Sequence, residues 1–165
     1  MAAAFALDAP GRICLFGEHQ DYLGLGVVAA GIDRRLRLEA HPEPGRRDLL
    51  LELPDLDRVE RFDPADPGPR RHGRDYLRAA LHLLAREGVV VPGGWRFRVT
   101  STIPVNAGCG SSSVLCLCWI AALLVVAGRL EEHDRNGLAL LANRAEVVEF
   151  GESGGVMDHL TAAAG

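Results

Sequence analysis

A turn of small residues followed by three serines is the segment best suited to chemistry. Residues 107–110 read Ala-Gly-Cys-Gly, and Ser111, Ser112 and Ser113 follow them. The apolar run after the serines predicts a buried helix. The first N–H groups of a helix have no partner inside it, and the helix dipole is positive at that end, so the turn predicts an anion site. Gly108 and Gly110 would let a phosphate approach the backbone, and a serine hydroxyl could bind a metal ion.

A simpler explanation of this turn stays open, in which Ser111 caps a core helix and the glycines only form the turn. The common phosphate loop Gly-x-x-x-x-Gly-Lys-Ser/Thr is excluded, because the chain contains no lysine.

A second polar group follows an apolar segment near the start of the chain. Gly17 interrupts the strand-like residues 13–16, and Glu18, His19 and Asp21 come directly after it. Loops at strand ends often contact ligands, and these side chains could hold several hydroxyls of a polyol. A solvated turn with an aspartate cap is the alternative.

Two further carboxylates stand in the last third of the chain. Glu146 lies on a predicted helix, and Asp158 falls in the first turn of another helix that begins near Val156. The helix dipole would keep a carboxylate ionised at that position. Asp158 could equally be no more than a residue that starts a helix.

Strands and helices alternate around these groups. The patterns predict strands at 5–7, 13–16, 27–30, 34–40, 49–53, 59–62 and 95–100. They predict helices at 75–87, 111–126 and 138–150, with a Pro- and Gly-rich loop at 63–73. The strand at 95–100, the glycine turn and the helix after Ser111 form the unit that would position a phosphate.

Composition limits the classes of function. A chain of 165 residues is long enough for one domain with a real core. Its net charge of -4 gives no basic footprint for nucleic acid. All 18 of its Lys+Arg residues are arginine, so any cationic phosphate contact must use a guanidinium group, which suits bidentate binding.

Cysteine usage and hydropathy indicate a cytoplasmic protein. Cys14, Cys109, Cys116 and Cys118 form no Cys-x-x-Cys pair, which does not favour zinc and indicates small apolar residues in a reducing compartment. The N-terminal residues lack the basic start of a signal peptide. The apolar run 114–127 is shorter than the ~20 residues of a membrane span, so no membrane partner is expected.

Three stretches together resemble one family. Residues 11–24 read Gly-Arg-Ile-Cys-Leu-Phe-Gly-Glu-His-Gln-Asp-Tyr-Leu-Gly and are similar to the galactokinase signature Gly-Arg-Val-Asn-Leu-Ile-Gly-Glu-His-Thr-Asp-Tyr. Residues 104–113 resemble the phosphate loop Pro-x-x-x-Gly-Leu-Gly-Ser-Ser-Ala, and residues 145–159 resemble a segment with Ala-Glu and Gly-Ile-Met-Asp-Gln. The chain therefore resembles the GHMP kinases, and the order and spacing of the motifs agree with that family.

The resemblance implies a fold and an activity. The fold would be α/β (α+β), of the ribosomal protein S5 domain 2-like type, with a mixed sheet covered by helices. The activity would be ATP-dependent phosphorylation of a small sugar hydroxyl, with ATP and Mg²⁺ as cofactors. A mevalonate-type small alcohol is the alternative substrate, and a non-catalytic sugar or nucleotide sensor is the alternative function.

The resemblance also implies residue roles. Asp158 would be the base, with Arg12 beside it holding the carboxylate ionised and stabilising charge in the transition state. An ionised carboxylate beside a cation is a weak base, so orientation and charge would form much of its role. The remaining roles are sugar binding by Glu18, His19, Asp21 and Gly155, phosphate binding by Gly108, Gly110, Ser111, Ser112 and Ser113, and Mg²⁺ binding by Ser112 and Glu146.

The chain departs from the family pattern in residues and in length. Cys109 and Ser113 are small changes in the phosphate loop, whereas Gln20 and His159 replace a Thr and a Gln of galactokinases and leave the sugar undefined. The family has a second, C-terminal domain that these 165 residues do not contain. We therefore expect a truncated N-terminal domain with an exposed apolar face and with weak or absent kinase activity on its own.

Overall fold

Alternating apolar and polar residues form a five-stranded mixed sheet in residues 3–70 and 73–165, the part of the chain that this computed structural model describes. The strands are β1 (Phe5–Phe16), β2 (Val28–Pro42), β3 (Leu49–Leu53), β4 (Arg58–Phe62) and β5 (Trp95–Ser101). Their order across the sheet is β1-β2-β5-β3-β4. Strands β3 and β5 run parallel, and the other neighbouring pairs run antiparallel.

Strand β5 shows why one face of the sheet is covered and the other faces water. Trp95, Phe97 and Val99 are buried, whereas Arg96 and Arg98 between them are exposed. Successive side chains of a strand point to opposite faces, so this alternation gives the sheet an apolar face and a charged face.

Four α-helices in the described residues cover the apolar face. They are α1 (Tyr76–Arg86), α2 (Ser111–Val126), α3 (Arg135–Glu146) and α4 (Met157–Ala164). Helix α2 packs against β1, β2 and the other three helices. Because it is apolar around its whole circumference, it can occupy this central position, where Trp119 and Ile120 are fully buried. The α/β class with a mixed sheet and helices is confirmed.

The strand predictions were correct in position, but the first two strands of the sheet are longer than predicted. The predicted strands at 5–7 and 13–16 are parts of β1, and those at 27–30 and 34–40 fall on β2, which begins at Val28. The β1–β2 register shifts between Pro10 and Arg12 and then continues. The extra residues of this irregularity lie on β2, between Arg35 and Gly31, and the pairing resumes without ending the strand, which alternation of residue types does not reveal.

The prediction for the third helix was wrong at both ends. Helix α3 begins at Arg135, because the Asp134 side chain accepts a hydrogen bond from Gly137 N at 2.7 Å and caps the helix. It ends at Glu146, and a 3-10 turn at Val148–Phe150 follows. The predicted loop at 63–73 contains neither helix nor strand in its described part, and residues 71 and 72 lie outside the described residues.

Several large apolar side chains are exposed near the connection between β1 and β2. Phe16 is 74% exposed, and the others are Ile13, Leu15, Leu23, Leu25 and Val28.

No helix within residues 3–70 and 73–165 is both long and apolar enough to cross a membrane. All four cysteines are free, and Cys116 and Cys118 are buried in α2.

Candidate active site

The serine turn presents the backbone N–H groups of a helix N-terminus. Gly108 and Gly110 have left-handed φ angles of 66° and 70°. Gly110 is the N-cap, and its carbonyl accepts from Val114 N at 3.0 Å, so Ser111 is the first helical residue and not the cap. The first N–H groups of α2 therefore have no acceptor within the helix, which is the geometry that binds phosphate oxygens.

Strand β1 passes unusually close to this turn. A Cβ added at Gly11 would lie 3.1 Å from Cys109 O and 3.1 Å from an Ile103 side-chain atom. The absence of a side chain lets Arg12 N donate to Cys109 O at 3.0 Å. The Gly-Arg pair of the sequence thus places Arg12 directly beside the serine turn.

The Arg12 side chain joins the turn to the start of α4. Its Nε donates to Asp158 Oδ1 at 2.6 Å, and its Nη1 donates to Gly108 O at 2.6 Å. Glu18 Oε1 lies 3.7 Å from Nη2. Burial lowers the pKa of Arg12, but the hydrogen bond and charge of Asp158 outweigh this effect and raise the pKa above its ordinary value. The guanidinium group is therefore a fixed positive charge in the site.

Asp158 also lies against the turn itself. A Cβ added at Gly110 would lie 3.2 Å from Asp158 Oδ2 and 3.3 Å from Arg12 Cγ. The carboxylate stands in the first turn of α4, where the helix dipole favours negative charge. A carboxylate, a guanidinium group and the serine turn are therefore in mutual contact.

Asp21 stabilises the start of α4 from the far end of the sequence. Its Oδ1 accepts from Val156 N at 3.3 Å, and its Oδ2 accepts from Met157 N at 3.0 Å. The preceding residue must be glycine, since a Cβ at Gly155 would overlap the Asp21 carboxylate. Asn143 Nδ2 donates to Gly155 O at 2.6 Å and fixes the same segment from α3.

Glu146 is a buried carboxylate within a hydrogen-bond network. His159 Nε2 lies 2.7 Å from Glu146 Oε2, and Ser112 and Ser113 also hydrogen-bond the carboxylate. Burial raises the pKa of Glu146, but these hydrogen bonds, that of His159 first, outweigh it and hold the pKa below its ordinary value. The carboxylate is thus ionised although Glu146 is only 7% exposed.

These groups surround one cavity of about 260 Å³. Eight of the predicted site residues lie on its wall, namely Arg12, Glu18, Asp21, Ser112, Ser113, Glu146, Gly155 and Asp158. Gly108 and Gly110 contact Arg12 and Asp158 at its edge. His19 is exposed and does not line this cavity. Ser111 lines a neighbouring cavity instead, so the structure brings the predicted residues together with His19 as the exception.

Sequence reasoning assigned no role to four other residues at this site. Tyr76, Arg74 and His159 line the cavity, and Asn143 binds the Gly155 carbonyl. Asn143 stands one helical turn before Glu146, and that spacing could have identified it. The His159 contact depends on how α3 crosses α4, for which the sequence has no local signal.

A second cavity of about 340 Å³ adjoins the serine turn. Ser112 lines both cavities, and Ser111 lines the second. Apolar side chains form much of the second wall, including Val99, Ile103, Val105 and Leu115. The serine turn is therefore bordered by a polar cavity on one side and by a largely apolar cavity on the other.

The donor groups near Glu146 fit a hard divalent cation. Glu146 and the Ser112 hydroxyl supply oxygen atoms, which Mg²⁺ prefers. Within the described residues no group of three His, Cys, Asp or Glu side chains could hold a metal ion by itself. Mg²⁺ is usually bound by one or two carboxylates together with substrate phosphates, so this sparse set suits it.

The fold and site define a class, an α/β domain with free backbone N–H groups at a helix N-terminus beside an arginine-aspartate pair. Comparison with known protein families identifies the family within this class. Residues 75–165 match the GHMP kinases N terminal domain, and residues 2–42 match the Galactokinase galactose-binding signature. The first match covers more than half of the chain, so the chain belongs to the GHMP kinase family.

Relatives include kinases of both expected kinds. The chain is 28% identical to a mevalonate kinase of Pyrococcus furiosus, over 96% of this chain and 49% of that protein. It is 33% identical to a galactokinase of Roseiflexus sp., over 95% of this chain and 39% of that protein. The structure of Lactococcus lactis galactokinase complexed with galactose shares the fold, with a TM-score of 0.81 and 24% identity over 97% of this chain and 42% of that chain. The chain thus spans about half the length of the curated relatives it matches, or less.

Proposed function

We propose that this chain is the nucleotide- and sugar-binding part of a galactokinase-like kinase, which transfers the γ-phosphoryl group of ATP to a hydroxyl of a small sugar. The observation that carries the proposal is the double contact of Arg12, which binds Asp158 Oδ1 and the Gly108 carbonyl, each at 2.6 Å. This contact supports a reaction in which the carboxylate and the phosphate turn act on the same substrate atoms.

The proposed mechanism is in-line phosphoryl transfer. The N–H groups and hydroxyls at Ser111, Ser112 and Ser113 hold the phosphates, and Asp158 accepts the hydrogen bond of the sugar hydroxyl. The hydroxyl oxygen bonds to the γ-phosphorus, the bond from that phosphorus to the ADP oxygen breaks, and the hydroxyl proton passes to Asp158. Arg12 stabilises the negative charge on the transferring group.

Ser112 and Glu146 are the proposed holders of Mg²⁺, which when bound neutralises negative charge on the phosphates. Their hard oxygen donors and the ionised state of Glu146 support this role. The neighbouring apolar cavity is the proposed place for the adenine base, because it adjoins the turn and offers Val99, Ile103 and Leu115 to a flat apolar ring.

A neutral polyol suits the polar cavity better than a carboxylate substrate. Both arginines of its described wall are already paired, Arg12 with Asp158 and Arg74 with Glu152 at 2.6 Å. Glu18 and Asp21 add acceptors that bind hydroxyls and repel a carboxylate. We propose Glu18, Asp21 and Gly155 as sugar contacts. We also propose His19 as a sugar contact, which its side chain would make if its loop moved closer to the cavity.

A mevalonate-type alcohol is the second candidate substrate, favoured by the 28% identity to the Pyrococcus mevalonate kinase. Its carboxylate would require a cation that the paired arginines do not offer. Galactose is the better candidate for the reason that residues 2–42 also match the galactose-binding signature.

The test has a binding step and a turnover step. Calorimetry on the 165-residue chain should show binding of AMPPNP with Mg²⁺. Because the relatives are longer, release of ADP is then measured on the longest reading frame that contains these residues, with D-galactose, other hexoses and mevalonate. Galactose-dependent ADP release is expected. Turnover with mevalonate and with none of the sugars would identify a small alcohol, and not a sugar, as the substrate. Nucleotide binding without turnover on any substrate would favour a sensor.

A further inference from the structure

His159 and Glu146 form a buried contact that the proposed mechanism does not use. His159 Nε2 lies 2.7 Å from Glu146 Oε2, and the contact joins α4 to α3. His159 is 1% exposed and Glu146 is 7% exposed. A buried polar contact of this length is strong because little water competes for either partner.

The hydrogen on the ring can be assigned from the partners. A carboxylate only accepts hydrogen bonds, so Nε2 must carry the hydrogen and donate it to Glu146. His159 Nδ1 is buried and has no hydrogen-bond partner within residues 3–70 and 73–165. The Glu146 carboxylate is therefore the one polar partner that fixes the orientation of this ring in the described part of the chain.

The contact also fixes the carboxylate. The terminal torsion of a glutamate side chain is broad, so a free carboxylate samples many orientations. The bond to His159 engages Oε2 and thereby sets the direction in which the carboxylate faces Ser112 and Ser113. A ligand held by a second residue in this way usually binds a metal ion more tightly than an unsupported one.

We propose that His159 is a positioning residue for the divalent cation, which it serves by holding Glu146 Oε2 so that the carboxylate is oriented before the cation binds. This inference rests on the proposed function, because it assumes that Glu146 and Ser112 hold the cation of a bound nucleotide. It assigns no metal contact to the imidazole itself.

Two amide substitutions separate this role from simple packing. In His159→Gln the side-chain nitrogen can stand near the place of Nε2 and still donate to Glu146. In His159→Asn the side-chain nitrogen lies near the position of Nδ1, and the side chain is too short for it to reach the carboxylate. Both variants bury an amide in the same position, so they form a matched pair.

The experiment measures Mn²⁺ binding to the protein saturated with AMPPNP, from the loss of the free Mn²⁺ signal in electron paramagnetic resonance. His159→Asn should weaken Mn²⁺ binding about 10-fold or more, the usual effect of losing such a supporting contact, and His159→Gln should stay within about 3-fold of wild type. Affinity for AMPPNP in the presence of EDTA should be unchanged in both variants, which shows that they are folded.

Specific results would overturn the inference. Wild-type Mn²⁺ affinity in His159→Asn would show that the contact does not position Glu146, and tighter binding would show that His159 competes with the cation. Equal losses in the two variants would show that packing alone matters. If the wild-type protein binds no AMPPNP, the proposed function fails together with this inference, whereas normal nucleotide binding with unaltered Mn²⁺ affinity refutes the inference alone.

Discussion

Arg12 Nε lies 2.6 Å from Asp158 Oδ1, although 146 positions separate the two residues in the sequence. The contact ties β1 to the first turn of α4, and the second bond of Arg12, to Gly108 O, ties both to the serine turn. One side chain therefore sets the geometry between the proposed base and the proposed phosphate site.

Replacement of Asp158 by Asn should abolish most turnover and leave nucleotide binding intact. The amide keeps the shape of the side chain and can still accept from Arg12, but it cannot take a proton from the sugar hydroxyl. A loss of about 10² to 10⁴ in kcat is expected for removal of such a group. ADP release and AMPPNP calorimetry on the longest reading frame measure the two effects.

The matched control for this change is Asp33→Asn, since the Asp33 side chain is 95% exposed on the surface. It should leave kcat unchanged. If Asp158→Asn turns over at nearly the wild-type rate, Asp158 is not the base of the reaction.

Gly155 and Asp21 should behave as a coupled pair. In Gly155→Ala the new methyl group overlaps the Asp21 carboxylate, which must leave the N-terminus of α4. Loss of such a cap costs about 0.5–2 kcal/mol of unfolding free energy. Asp21→Ala should cost a similar amount, and the double variant should cost little more than Asp21→Ala alone.

Urea unfolding of the two single variants and the double variant tests this coupling. Gly26→Ala is the control, because a Cβ there meets nothing within 4 Å, and it should have little effect. Simple additivity of Gly155→Ala and Asp21→Ala would contradict the overlap as the cause.

Gly110 and Gly108 offer a comparison at nearly equal backbone strain. Their φ angles are 70° and 66°, so alanine at either position should cost about 1–2 kcal/mol. Only at Gly110 would the methyl group also press on a neighbour, Asp158 Oδ2 at 3.2 Å. Gly110→Ala should therefore lower the unfolding free energy more than Gly108→Ala, as measured in urea. Equal losses would show that Asp158 moves away at no cost.

The sequence predicted the backbone structure of the serine turn well because all of its determinants are local. A strand, two glycines and a helix start follow one another between Trp95 and Ser113, and neighbouring residues decide each of them. The strand and helix types were also largely predictable from periodicity. The uninterrupted length of β1 was not, because pairing with β2 on both sides of Pro10 outweighs the local preference of the Pro-Gly pair.

Contacts between residues far apart in the sequence were harder to predict. The family resemblance implied that Arg12 stands beside Asp158, and the structure shows this contact. The cap of Asp21 on α4 and the bond of His159 to Glu146 depend on how the helices cross, which no periodicity encodes. His19 was predicted from the cluster with Glu18 and Asp21 and from the family resemblance; the structure leaves its side chain exposed, since adjacent residues after a strand often point in different directions.

The buried Arg78 should contribute strongly to stability. Its Nη1 lies 3.0 Å from Asp75 Oδ2 and 3.4 Å from Glu60 Oε2, and the side chain is 2% exposed. Arg78→Met would leave two buried carboxylates without this cation, which should lower the unfolding free energy by about 3–5 kcal/mol. Arg129→Met, which removes a solvent-exposed pair with Glu132, is the control and should change stability little. Similar urea midpoints for the two variants would contradict this role.

The buried thiol of Cys118 should make stability fall at alkaline pH. Burial raises the pKa of Cys118 from 9.0 to about 12, with Asp8 adding to the effect. Above pH 9 the unfolded chain loses this proton and the folded chain keeps it, so the contribution to stability is complete below pH 9 and is lost as the pH rises toward 12. In Cys118→Ala the decline of unfolding free energy between pH 9 and pH 11 should be shallower by roughly 1 kcal/mol per pH unit.

Urea unfolding at each pH measures the slope, and Cys109→Ala, which removes a thiol that solvent reaches, is the control. An unchanged slope in Cys118→Ala would mean that the thiol ionises in the folded protein as readily as in the unfolded chain.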